Sequence, residues 1–156
     1  MTAAPPPPLQ CKLLYADSKT PTRAYFTDAG YDLFAYFEDS PPSVRQRVIP
    51  PGGRMLIGCG VSVACPVDVA FQIWPRSGMA LKNGIDVLGG LVDSGYRGEV
   101  KVILQNHGTY DYPVTQGDKI AQLVPVKLCF TRDLQLQCVQ TLGESDRDVN
   151  GFGSTS

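Results

Sequence analysis

A chain of 156 residues, 43% apolar and 19% charged, is long enough for one domain with a real core and has the composition of a globular protein. Its formal net charge of -1 argues against a nucleic-acid polymer as partner, since such binders carry a basic surface, yet arginines could still gather around a small anion. No apolar run approaches membrane-spanning length, so no membrane partner is expected.

Residues 1–10, MTAAPPPPLQ, lack the basic segment and apolar run of a signal peptide. Consecutive prolines cannot join a sheet, so this stretch reads as a disordered arm. It is either a solvated tail or a docking peptide for a protein partner with an aromatic groove. From residue 11 to 142 the dominant hydrophobic period is two. YDLFAYF (31–37) and RMLIGCGVSV (54–63) are strand-like runs. In 67–74, Val67, Val69, Phe71 and Ile73 alternate with Asp68, Ala70, Gln72 and Trp74. Val100, Val102 and Leu104 share one side of VKVILQN, followed by IAQLVPV (120–126). In LQLQCVQTL (134–142), Leu134, Leu136, Cys138 and Leu142 fall on one face. Short strands separated by clusters such as PPGG predict an all-β sandwich or jelly roll.

One short helix is expected at Ser77–Asn83, with Ser77 as its cap and good helix formers in MALK. The tail GESDRDVNGFGSTS (143–156) mixes small polar residues with a single aromatic, Phe152, and reads as a mobile arm. The five cysteines have no metal-ligand spacing and read as reduced, mostly buried thiols of an intracellular protein, in cytoplasm or nucleus. His107 has no second histidine to join it, which disfavours a zinc site or a Ser-His-Asp triad.

The stretch PRSGMALKNGIDVLGGLVDSGYRGEV (75–100) raises a different possibility. Taken singly, Arg76 would pair with a surface carboxylate, Ser77 would cap a helix, and Asp93 would start an Asp-Ser-Gly turn. Taken together they offer more. A helix start and a guanidinium suit phosphate oxygens. A carboxylate that directly follows the apolar run LGGLV would project from a strand end, where it could polarise a water. Tyr96 adds a flat face for a sugar. Asn106 would order a site water or cap the end of its strand.

Five segments in order resemble the motifs of the trimeric deoxyuridine triphosphatase (dUTPase) family: AGYDLFA (29–35), PRSGMA (75–80), GLVDSGYRGEV (90–100), GDKIAQLV (117–124) and RDVNGFGSTS (147–156). The resemblance implies a distorted jelly roll or β-barrel, with domain limits of 11–142 and an arm at 143–156 that closes over the site. It implies a Mg²⁺-dependent hydrolysis of dUTP to dUMP and pyrophosphate by a homotrimer. Asp93 matches the family's water-activating aspartate. Tyr96 matches the aromatic on the deoxyribose, and Gly90, Leu91 and Val92 the hairpin whose main chain reads uracil. Arg76, Ser77, Gly78 and Gln122 would hold the phosphates, and Asp32 would contact the Mg²⁺ through water. Arg147, Phe152, Gly153 and Ser154 would come from the closing arm.

Four positions depart from the family pattern. Gly95 stands where a second acid is usual, and Asp148, Asn150 and Ser156 stand where glycines are usual. Asp148 would compete with phosphate for Arg147, and lost glycines would stiffen the arm. Two rival readings fit less well. A dCTP deaminase needs a proton-shuttling glutamate near Ile103, which carries no proton. A non-catalytic interaction module on the same fold would have little use for both Asp93 and Arg76.

Overall fold

Alternation in the sequence becomes alternation in burial wherever a strand has one face on the core. In the computed structural model, which describes residues 8–38, 45–129 and 136–143, eleven strands and one helix follow one another among those residues. They are β1 (Gln10–Leu13), β2 (Tyr31–Phe34), β3 (Gln46–Ile49), β4 (Arg54–Gly58), β5 (Val61–Ala64) and β6 (Val69–Trp74), then the helix α1 (Ser77–Asn83). After it come β7 (Ile85–Leu88), β8 (Leu91–Val92), β9 (Lys101–Asn106), β10 (Tyr112–Thr115) and β11 (Lys119–Lys127).

The strands pair antiparallel in open sheets rather than a closed barrel: β2-β11-β6-β8, β4-β9-β7, and the pairs β1-β5 and β10-β3. Their inner faces meet in one core. Leu33 of β2, Ile57 of β4, Phe71 and Ile73 of β6, Val102 and Leu104 of β9 and Leu123 of β11 are all buried there. Removing that apolar area from water is the main force holding the sheets together. The all-β expectation with a single short helix holds, in a jelly-roll-like arrangement.

Four local expectations are corrected. The run 54–63 is two strands, because the chain turns at Cys59 and Gly60 before β5 begins. The run 134–142 is not a strand over its described part: Leu136 and Leu142 lie exposed, and no ladder partner is offered to them. Period two marks a segment fit for a sheet, but a strand exists only where a neighbour supplies hydrogen bonds. Ser77 is the first helical residue rather than the cap; Arg76 takes the cap position in extended conformation, and no side chain closes that end. The first strand opens at Gln10, inside the segment expected as an arm. Residues 144–156 of the expected C-terminal arm lie outside the described residues.

Helix α1 ends where Gly84 adopts the left-handed conformation (φ +67°), and its N–H returns to Ala80 O. That ending suits glycine, because a Cβ would crowd the following carbonyl. It also turns the chain straight into β7, against which the helix packs. The expectation of mostly buried thiols is also corrected: Cys11, Cys129 and Cys138 are exposed and Cys65 is half-buried, and only Cys59 lies in the core, where burial pushes its thiol above its ordinary range.

Candidate active site

Two clefts gather the residues singled out above. The first, of about 500 Å³, is lined by Asp32 from β2, by Arg76, Ser77, Gly78 and Lys82 from the helix and its approach, and by Lys119 and Gln122 from β11. Register places them. β2 and β6 flank β11, with Gln122 opposite both Asp32 and Trp74. The chain leaves β6 at Trp74 and delivers Arg76 two residues later, beside the same point. The Gln122 side-chain amide donates to Pro75 O at 3.1 Å and steadies that turn.

Asp32 organises the cations of this cleft. Its side chain is 14% exposed; Oδ1 lies 3.3 Å from Arg76 Nε and Oδ2 lies 2.8 Å from Lys119 Nζ. Arg76 Nη1 also donates to Lys119 O at 3.3 Å. The guanidinium is thereby pinned along one edge, and its remaining N–H groups are left for an anion. With Arg76, Lys82 and Lys119 against Asp28 and Asp32, positive side chains are in the majority.

Lys82 and Lys119 escaped the sequence reading. For Lys119 the reason is a register shift between Lys119 and Ala121. Ile120 and Ala121 are buried in succession, so Lys119 and Gln122 come out on the same face. Strict alternation would have set them on opposite faces.

The second cleft, of about 220 Å³, is lined by Leu91, Val92, Asp93, Tyr96, Glu99, Val100 and Lys101. Asp93 directly follows β8, as expected, and its carbonyl accepts the Tyr96 N–H at 3.0 Å to close the turn. Arg97 braces that turn through Nη1, which donates to Ser94 O at 2.6 Å and Tyr96 O at 2.8 Å. The Tyr96 hydroxyl donates to Glu99 O at 3.0 Å. Strand β8 is the edge of its sheet. Because Ile73 N–H donates to Gly90 O and Gln72 lies opposite Leu91, the N–H and C=O of Leu91 point away from β6. Of Gly90, Leu91 and Val92, only Leu91 offers both main-chain groups outward.

Within one chain the two clefts are apart, so a single copy does not set the carboxylate beside the phosphate cradle. Val92 pairs with Phe71, so Asp93 falls level with Ala70, whereas Arg76 lies six residues further along. At about 3.3 Å per residue the separation is roughly 20 Å. Arg147, Phe152, Gly153 and Ser154 lie outside the described residues.

Among the described residues no group of three His, Cys, Asp or Glu side chains could hold a metal ion. Both Asp32 oxygens already face cations. This carboxylate alone would therefore not hold a Mg²⁺; such an ion would take its inner ligands from phosphate and water, with Asp32 outside them.

A jelly-roll-like β protein with a cationic cleft and a separate carboxylate-bearing hairpin is thus defined. The match to known proteins is specific. The model of the dUTPase family covers residues 16–156. The deoxyuridine 5'-triphosphate nucleotidohydrolase of Clostridium tetani is 44% identical over 149 residues, 94% of this chain and 95% of that protein. The dUTPase of Staphylococcus bacteriophage 80alpha, solved with dUpNHpp, superposes with a TM-score of 0.80 at 26% identity over 94% of this chain and 97% of that one. The dUTPase of phage phi11 of S. aureus, described with a structural Mg(II) ion, shares the fold at a TM-score of 0.74 and 24% identity, over 88% of this chain and all of that one. The chain belongs to the dUTPase family.

Proposed function

We propose that this chain hydrolyses dUTP to dUMP and pyrophosphate at a site completed by two copies of itself. The observation that carries this reading is the pairing of two half-sites in a member of the dUTPase family: a cationic phosphate cleft at one end of β6 and a carboxylate hairpin at the other. Neither half suffices alone. The homotrimer of the family lets the hairpin of one copy face the phosphate cleft of the next.

In that arrangement the Leu91 N–H and C=O read the uracil edge, because a base with the wrong polar pattern would leave them unpaired. The Tyr96 ring packs on the deoxyribose and leaves no room for a 2′-hydroxyl. Arg76, with Ser77 and Gly78 at the first turn of α1, and with Gln122 and Lys119, holds the triphosphate. Asp93 takes a proton from a water as it attacks the α-phosphorus; the bond from that phosphorus to the bridging oxygen breaks, and pyrophosphate leaves. The guanidinium and ammonium groups stabilise charge moving onto the leaving group. A Mg²⁺ bound through the phosphates and water, with Asp32 outside it, would supply further charge neutralisation and fix the triphosphate's conformation. The arm bearing Arg147, Phe152, Gly153 and Ser154 closes over the nucleotide and excludes water.

The five free thiols fit work inside the cell, where thiols stay reduced. No described helix is long and apolar enough to cross a membrane.

Pyrophosphate release from dUTP, with and without Mg²⁺, tests the proposal. The native chain should hydrolyse dUTP, and Asp93→Asn should bind it yet turn over at least a hundredfold more slowly, in the range lost with a general base (roughly 10²–10⁴). Equal rates in the two proteins, or inertness of both, would overturn it.

A further inference from the structure

The hairpin motif contains a carboxylate that the reaction leaves unexplained. The Glu99 side chain is 17% exposed, and its Oε1 accepts the Gly60 N–H at 2.9 Å while Oε2 lies 3.6 Å from Lys101 Nζ. It lines the Asp93–Tyr96 cleft and also the neighbouring recess formed by Tyr36, Arg47 and Leu56. Gly58 lies against it: a Cβ there would stand 2.5 Å from Glu99 Oε1. Gly58 sits within β4, so alanine suits its backbone and the only obstacle is the carboxylate.

The segment around Glu99 is tied to the corner between β4 and β5 on three counts. Cys59 N–H donates to Val100 O at 3.0 Å, Val100 N–H donates to Val61 O at 2.8 Å, and the Glu99 carboxylate takes Gly60. The Tyr96 hydroxyl is in turn held by Glu99 O. The position of the Tyr96 ring is therefore referred, through the main chain of Glu99, to the place where the Glu99 side chain is anchored.

We propose that Glu99 is a positioning residue for sugar selection: its carboxylate, seated over Gly58 and held by the Gly60 N–H, sets where the Tyr96 ring stands and hence how strictly a 2′-hydroxyl is refused. The proposal rests on the reading of Tyr96 as the face that packs on the deoxyribose. Exclusion by contact depends on a few tenths of an ångström, because repulsion rises steeply inside van der Waals distance. A hydrogen bond to a largely buried side-chain oxygen is the kind of contact that holds a turn to that tolerance.

The test compares kcat and KM for dUTP and UTP in the native chain, Tyr96→Ala, Glu99→Ala, Glu99→Gln and Gly58→Ala. Loss of the anchor in Glu99→Ala should lower the preference for dUTP over UTP on the order of tenfold, the scale of a lost buried hydrogen bond. The change should lie in KM, with kcat for dUTP nearly unchanged, as expected when the groups doing the chemistry are intact. Gly58→Ala, which keeps Glu99 but pushes its carboxylate aside, should give the same loss and decides the matter if Glu99→Ala does not fold. Glu99→Gln, whose amide oxygen can still accept from Gly60, should keep the native preference. If Tyr96→Ala loses the preference while Glu99→Ala or Gly58→Ala retains it, the inference is wrong and the sugar reading stands. Equal losses in Glu99→Gln and Glu99→Ala would also refute it. If Tyr96→Ala itself keeps the native preference, the sugar reading fails and takes the inference with it.

Discussion

Asn106 shows what one side chain can fix. It is fully buried, and it is the one polar residue in the core of the described residues. Its Nδ2 donates to Ile49 O at 2.8 Å and to Tyr110 O at 2.9 Å, and its Oδ1 accepts the Gly108 N–H at 2.8 Å. One amide thus joins the ends of β9 and β3 to the loop 107–111. Alanine there would strand three buried or part-buried backbone groups, so Asn106→Ala should cost about 2–4 kcal/mol in urea unfolding. A change below about 1 kcal/mol would mean the loop recruits water in its place. The sequence left this residue with two roles, a water ligand or a strand cap. Burial decides for the cap, and burial is not readable from an asparagine at the end of an alternating run.

At the scale of elements, α1 matters because it carries Arg76, Ser77 and Gly78 past the end of β6. Its far end rests on Gly84, where an added Cβ would lie 2.8 Å from Gly108 N. Gly84→Ala adds left-handed strain to that clash and should destabilise by roughly 1–3 kcal/mol. If the helix shifts as a unit, KM for dUTP should rise more than kcat falls; a kcat loss at unchanged KM would show that the helix does not position the phosphates.

The helix was legible to its end residues, since SGMALKN is followed by glycine. The long core strands β6, β9 and β11 were also legible, because one face of each is apolar. The short strands β1, β3, β7 and β10 were not, and β8 showed only as the strand end ahead of Asp93. All four residues of β1 are exposed, and β10 contains Pro113. Such segments are made strands by a partner's hydrogen bonds rather than by their own pattern.

For the whole molecule, the decisive quantity is the length of β6. Arg76 and Asp93 are near neighbours in sequence, which invites a single site; antiparallel pairing of β8 with β6 carries them to opposite ends. Which residues matter could be read along the chain, but not which copy each one serves, because that depends on register. A site shared between copies predicts complementation. Asp93→Asn and Arg76→Ala proteins, each nearly inactive alone, should recover a measurable fraction of native hydrolysis once unfolded together and refolded as mixed oligomers. Recovery no greater than the sum of the separate proteins would count against the shared site.

The edge position of β8 has a cost that its brevity contains. Outward-facing amide and carbonyl groups at Leu91 are what a nucleobase needs, but a longer row of them would equally template the strand of a stray chain and seed fibrous aggregates. With only Leu91 and Val92 in the ladder before the turn at Asp93, the edge is long enough to recognise a small planar ring and too short to zip up with a polypeptide.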